Sequence, residues 1–402
     1  MKAYARLYQA VFRLILPRMP WRQPELIKGE GSVSSIGSAV KAYGVDRALL
    51  VSDPGLVRLG FVDQVREHLE KANVRVVVYD KTQANPTIDQ IEEALLLYRE
   101  GSCQGIVALG GGSPMDLAKA VGARIAMPNK SIPQLKGILK IKHNLPPLFA
   151  IPTTAGTGSE VTVAAVVTDS KTKEKYAISD LHLIPILAIH DPSLTVGLPP
   201  HITATTGMDA LTHAVEAYLN HTSMPVTNQE SEEAVQLIFK SLLKAYENGN
   251  DIRAREDMQK AAFLAGAAFT KAYVGYVHGL AHQLGGFYGI PHGLANAVIL
   301  PIVLDYYGDK VEGKLARLAD VANVSNPTMS KKEKADAFKN AIKEMNRRMN
   351  IPQTLDGIKE EDLAILVQRA LSEVNPAYPV PVILNGKQLL ELYHHVMKAS
   401  SH

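Results

Sequence analysis

The stretch GIVALGGGSPMDLAKAV, residues 105–121, sets the apolar run Ile106–Leu109 directly before Gly110-Gly111-Gly112-Ser113-Pro114 and a helical pattern that opens with Met115 and Asp116. This reads as strand, glycine turn and helix start. Glycines allow positive φ and close approach of a ligand to the backbone, and the unpaired N–H groups at a helix start favour a pyrophosphate. Pro114 suits a first helical turn. Steric demand at a tight turn would select the same glycines. The pattern is not GxGxxG and follows the third strand of the chain, so an ordinary Rossmann fingerprint does not follow from it.

Outward from this point, Ala48–Val51, Val74–Tyr79 and Leu148–Ile151 also read as strands, and Phe61–Ala72, Ile88–Arg99 and Pro114–Val121 as helices. Strand and helix in alternation predict a mostly parallel sheet covered on both faces, because parallel neighbours need crossover connections. A polar, hairpin-like stretch spans Thr168–Lys175, and Ile186–Ile189 is one more apolar run. After Leu198-Pro199-Pro200 the strand signals stop, and Glu230–Ala245, Met258–Phe269, Lys332–Met349 and Glu361–Leu371 carry apolar residues at helical spacing. The expected organisation is an N-terminal extension (1–23), an α/β dinucleotide-binding domain (24–199) and an all-helical metal-binding domain (200–402). The extension alternates apolar residues with Arg6 and Arg13, which predicts an amphipathic helix and neither a signal peptide nor a membrane anchor.

A formal charge of +3 over 402 residues, with no basic stripe, gives no footprint for nucleic acid. The single cysteine, Cys103, makes no intrachain disulfide and has no CxxC partner, which suits a reducing cytoplasm.

Two further strand ends carry acids, Asp53 and Asp80, each placed to meet a ribose hydroxyl or to form a turn. A second glycine-rich loop, Pro152-Thr153-Thr154-Ala155-Gly156-Thr157-Gly158-Ser159-Glu160, offers hydroxyls and bare N–H groups to a phosphate or ribose. In TGMDALTHA, Asp209 and His213 stand one helical turn apart on a common face. His278, His282 and His292 cluster in GYVHGLAHQLGGFYGIPHG, residues 275–293, out of only 13 histidines in the chain. His278 and His282 share a helical face and His292 lies past a glycine turn, so spacing alone leaves open which of the three bind an ion. Nitrogen and carboxylate donors without thiolate suit Fe²⁺ or Zn²⁺.

Gly275-x-x-His278-x-x-Ala281-His282-x-x-Gly285 followed by Pro291-His292-Gly293 resembles the signature of the iron-containing (group III) alcohol dehydrogenase family. GGGSPMD, PTTAGTGSE and GMDALTHA resemble its other landmarks in the same order, from about Pro24 to the end of the chain. The resemblance implies a metal-dependent oxidoreductase that transfers a hydride between an alcohol and NAD, working as a homodimer. It implies Asp209, His213, His278 and His292 as ligands of a divalent ion, Fe²⁺ first and Zn²⁺ as the alternative, with His282 unligated near the nicotinamide and serving in a proton relay. It also implies Asp53 at the adenosine ribose, where it repels a 2′-phosphate, Gly111, Gly112, Ser113 and Asp116 at the pyrophosphate loop, and Thr153, Thr154 and Thr157 along the cofactor. Asn85 and Lys175 are weaker carry-overs. In the family the active site lies in the cleft between the α/β and helical domains. Phe269, Tyr273 and Phe287 are candidates for the alcohol pocket or for ordinary core. Two rivals are a lyase related to dehydroquinate synthase, disfavoured by the GxxHxxAHxxG pattern, and a non-enzymatic cofactor-binding protein, disfavoured by the four filled ligand positions.

Overall fold

The structure is a computed structural model describing residues 2–172 and 174–397. It divides into two compact units, Trp21–Gly197 and Met1–Pro20 with Leu198–His402.

The first unit contains strands β1 (Glu25–Lys28), β2 (Arg47–Val51), β3 (Arg75–Tyr79), β4 (Gly105–Gly110), β5 (Gly137–Ile138), β6 (Leu148–Pro152), β7 (Ala164–Asp169), β8 (Glu174–Ser179) and β9 (Leu187–His190). Six of them form one sheet in the order β1-β9-β6-β4-β2-β3, and every neighbouring pair is parallel. The central strands are apolar at consecutive positions because each face feeds its own core. Leu49, Val51, Ile106, Ala108, Leu148 and Ala150 enter one cluster. Ala48, Leu50, Val107, Leu109, Phe149 and Ile151 enter the other.

The strand order places a switch point between β2 and β4. The helix after β2 (Phe61–Lys71) packs on one core and the helix after β4 (Gly112–Ala126) on the other. Open α/β sheets bind ligands at the carboxyl ends of the strands at such a point. Here those ends are Ser52-Asp53 and Gly111-Gly112-Ser113, and Ser52 Oγ joins them by donating to Leu109 O at 3.0 Å.

The Thr168–Lys175 stretch is the closed end of a hairpin: β7 and β8 pair antiparallel from Ala164↔Ser179 to Asp169↔Glu174, with β5 parallel to β8. Neither the full length of this hairpin nor β1 was expected from the sequence. β1 is a four-residue edge strand, largely exposed, with charges at both ends and an apolar run of only Leu26 and Ile27 between them.

In the second unit the helix Pro200–Leu219 starts on two prolines, Pro199 at its N-cap and Pro200 at its first position. It packs against Pro225–Glu247, Ile252–Ala272 and His292–Tyr307. Three neighbours explain why residues 207–219 are buried all round the helix. The helix Lys2–Ile15 also belongs to this unit, where Arg6 donates to Val380 O at 2.7 Å and to Pro381 O at 2.8 Å. No helix among the described residues is long and apolar enough to cross a membrane.

Candidate functional site

In the helical unit, Asp209 and His213 lie one turn apart on Pro200–Leu219, His278 sits in the first turn of Tyr276–Tyr288, and His292 opens His292–Tyr307. One ligand atom from each of the four lies within 4.8 Å of the others. Asp209, His213 and His278 are buried, and His292 is partly exposed. Two glycines set the approach of the helices that carry them. A Cβ on Gly207 would meet Leu242 Cδ1 at 2.3 Å, and one on Gly293 would meet Thr205 O at 2.4 Å.

The donor set is one carboxylate and three imidazoles, and burial lowers the pKa of His278 to about 3, so its ring is the neutral form that a cation requires. Asp209 Oδ1, His278 Nε2 and His292 Nε2 converge on Asn296 Nδ2 at 2.7, 3.1 and 3.2 Å. Asn296 Oδ1 is buried with no hydrogen-bond partner among the described residues. A carboxylate oxygen and three imidazole nitrogens within 4.8 Å of one another, three of the four residues buried, fit a divalent ion such as Fe²⁺ or Zn²⁺.

Around this cluster lie groups that the sequence reading did not single out. Glu216 accepts from His278 Nδ1 at 2.6 Å and from Val277 N at 2.8 Å. That bond favours the tautomer whose Nε2 lone pair faces the cluster. Burial pushes the Glu216 carboxyl up to about 7, against the backbone N–H bonds that lower it. Asp209, His213 and Glu216 follow an i, i+4, i+7 spacing, and Asn296 stands one turn after His292, so both were within reach of a helical-face reading.

His282 is outside the cluster. Its Nδ1 lies 2.6 Å from Glu373 Oε1, which also accepts from Tyr378 OH at 2.8 Å, and Glu373 Oε2 accepts from Gln283 Nε2 at 2.7 Å. Burial acts against the Glu373 charge, yet His282 and Tyr378 hold its carboxyl below the usual range. The His282 ring stacks on His292 with centroids 5.2 Å apart. Of the three aromatics, Phe269 stacks on His213 at 4.2 Å, Tyr273 sits 6.5 Å from the Tyr378 ring, and Phe287 is exposed beside Tyr288.

In the α/β unit the two glycine-rich loops lie against each other. A Cβ on Gly111 would meet Thr154 Oγ1 at 3.2 Å, and one on Gly112 would meet Thr157 Cγ2 at 3.0 Å. Gly110 has a φ of +149°, and its carbonyl accepts from Thr153 N at 3.1 Å. Gly111 caps the helix that Gly112 and Ser113 begin, with their N–H groups at its positive end. Asp53 caps the short helix Pro54–Arg58: its Oδ1 accepts from Gly55 N at 2.7 Å and Leu56 N at 3.1 Å, while Oδ2 makes no hydrogen bond to the described residues. The turn-forming and ligand-facing readings of Asp53 are thus compatible, one oxygen each.

Asp116 has both oxygens engaged by the protein, with Ser159 Oγ at 3.1 Å and Val166 N at 3.2 Å. Its carboxyl, raised to about 6 by burial, holds the second loop in place. Lys119, one turn on and fully buried, completes that attachment: its Nζ donates to the carbonyls of Ser159, Thr162 and Ala164 at 2.6, 3.0 and 2.9 Å. Lys175 Nζ donates to Asn85 Oδ1 at 2.7 Å, which joins the β8 hairpin to the loop after β3.

Comparison with known proteins covers both units. Residues 23–192 match the family described as iron-containing alcohol dehydrogenase, and residues 203–397 match the Fe-containing alcohol dehydrogenase family, C-terminal. Alcohol dehydrogenase 4 of Saccharomyces cerevisiae is 41% identical over 86% of this chain and 90% of its own length. The 1,3-propanediol dehydrogenase of Citrobacter freundii is 40% identical over 91% of this chain and 95% of its own. A crystal structure of a 1,3-propanediol oxidoreductase superposes with a TM-score of 0.90 at 37% identity, over 94% of this chain and 99% of that one. With both units matched and identities this high over nearly full lengths, the chain belongs to the iron-containing alcohol dehydrogenase family and is an oxidoreductase of that class.

Proposed function

We propose that this enzyme interconverts a small alcohol and its aldehyde or ketone with NAD as the hydride partner, and that Asp209, His213, His278 and His292 hold its divalent ion. The observation that carries the reading is the convergence of those four ligand atoms within 4.8 Å. When bound, the ion supplies Lewis acidity, which lowers the pKa of an alcohol hydroxyl and polarises a carbonyl. Fe²⁺ is the expected ion and Zn²⁺ the alternative, since the donor set suits both. The names of the relatives support short alcohols and diols such as 1,3-propanediol as substrates.

The remaining roles belong to the chain itself. Glu216 orients His278. With His282 Nδ1–H on Glu373, the other ring nitrogen, Nε2, is an acceptor that takes the hydroxyl proton during alcohol oxidation and returns it during reduction. Gly111, Gly112 and Ser113 hold the pyrophosphate through backbone N–H groups. Thr153, Thr154 and Thr157 lie along the cofactor, and Asp116, Asn85 and Lys175 brace its loops. Asp53 Oδ2 accepts from the ribose hydroxyls and repels a 2′-phosphate, which favours NAD over NADP. The family resemblance supports a homodimer, and the single buried thiol, Cys103, suits a cytoplasmic protein.

The test is reconstitution of metal-free protein with Fe²⁺ or Zn²⁺ and measurement of reduced-cofactor absorbance across a panel of short alcohols. Metal-dependent reduction of NAD in preference to NADP is expected. Equal turnover in metal-free protein treated with chelator would overturn the reading.

A further inference from the structure

We propose that the helix Lys2–Ile15, which lies outside both family matches, is a positioning element that braces the 376–381 segment so that Tyr378 and Glu373 lock the His282 imidazole. The proposal rests on the proton-carrying role given above to His282.

The chain of contacts is continuous. Gln9 is buried, and its Nε2 donates to Tyr378 O at 2.7 Å and to Pro376 O at 3.4 Å. Arg6 Nη1 donates to Gln9 Oε1 at 2.8 Å, which orients that amide, and to Val380 O at 2.7 Å, while Nη2 reaches Pro381 O at 2.8 Å. These two side chains therefore bond to four carbonyls of one short loop. Phe12 adds a ring contact with Tyr273 at 5.9 Å, and Tyr273 faces Tyr378 at 6.5 Å. From that loop Tyr378 OH donates to Glu373 Oε1 at 2.8 Å, and the same oxygen takes His282 Nδ1 at 2.6 Å.

The physical need is clear from the loop itself. Residues 376–381 read Pro-Ala-Tyr-Pro-Val-Pro. Three prolines lack N–H groups, so the segment makes few backbone bonds of its own, and its carbonyls require donors from elsewhere. Val380 N reaches Tyr378 O at 2.9 Å and His221 N reaches Pro379 O at 2.8 Å, and Arg6 and Gln9 supply the side-chain donors to the carbonyls of Pro376, Tyr378, Val380 and Pro381. A carboxylate that orients a proton-carrying imidazole must be fixed closely, because displacement of supporting groups by about 1 Å lowers turnover. Residues 2–15 thus act on the reaction through Tyr378 and Glu373, not by touching a substrate.

The test uses the full-length metal-loaded enzyme with Gln9→Ala and Arg6→Ala, alone and combined with Glu373→Gln. The expected result is a fall in kcat of about threefold or more for each helix variant, with metal content and KM for NAD unchanged. The fall should vanish when Glu373→Gln is already present, because the route through Glu373 is then cut. Tyr378→Phe, which alters one hydroxyl, should behave like Gln9→Ala and covers the case in which Arg6→Ala does not fold. A readout free of turnover is the ¹⁵N spectrum of the histidine side chains, with His282 assigned by the signal missing from His282→Asn. Its Nδ1-protonated pattern should persist in the wild type and be perturbed in Gln9→Ala. An unchanged His282 signal and kcat in Gln9→Ala, or effects that simply add to those of Glu373→Gln, would overturn the proposal. A wild type with the expected His282 signal but no turnover on any alcohol would instead count against the functional reading.

Discussion

Glu216 and Lys119 are single buried side chains that hold, in turn, the His278 ring of the Asp209–His213–His278–His292 cluster and the second glycine-rich loop. Glu216 bonds His278 on the side away from the ligand cluster, so Glu216→Gln keeps the shape but loses the charge that orients and strengthens that imidazole. A loss of about 10–100-fold in Fe²⁺ or Zn²⁺ affinity is expected, measured by competition with a chelator of known strength. Lys119 is a buried cation whose removal leaves the carbonyls of Ser159, Thr162 and Ala164 without their donor. Lys119→Met should lower stability by about 3 kcal/mol in denaturant unfolding. Burial lowers the folded pKa of Lys119 to about 8 from 10.5, so between those values the unfolded chain binds the extra proton and stability rises with pH. That rising component should be missing from Lys119→Met. At the cofactor, Asp53→Gly should shift the preference from NAD toward NADP in kcat/KM, and an unchanged ratio would deny Asp53 its role at the ribose.

At the scale of elements, the ligand cluster depends on how closely two helices approach. Gly293 lets His292–Tyr307 pass within contact of the Thr205 carbonyl, and that clash is with backbone, which cannot swing aside. Gly293→Ala should therefore displace His292 and lower bound metal without removing any ligand, which metal analysis of the purified variant would show. The sequence carried the β4 turn and the inner strands β2, β4 and β6 clearly, because buried parallel strands are apolar at nearly every position, and it carried the edge strand β3 through its run of three valines. It carried β1 and the β7–β8 hairpin poorly, because edge and surface strands lack that signal. Spacing placed the proposed ligands Asp209 and His213 on one helical face without distinguishing them from a surface ion pair, and by the same rule Glu216 and Asn296 were within reach. Glu373 was not, since 91 positions separate it from His282 and only the tertiary fold brings them to 2.6 Å.

At the scale of the whole molecule, the alternation of strand and helix before Pro199 and its absence afterwards reflect two units with different packing rules, a sheet covered on both faces and a bundle around Pro200–Leu219. The extension could not be placed from sequence, because the hydrogen bonds that hold it go to main-chain carbonyls of residues 376–381, which leave no side-chain pattern to read. Spacing alone also could not decide between His278 and His282. In the fold, Glu216 turns His278 toward Asp209, whereas Glu373 claims His282. The most direct test of this account is metal content by mass spectrometry in His278→Ala and His282→Ala, purified side by side. The account predicts near-complete loss of metal in His278→Ala and near-stoichiometric metal with impaired turnover in His282→Ala; equal loss of metal in both would contradict it.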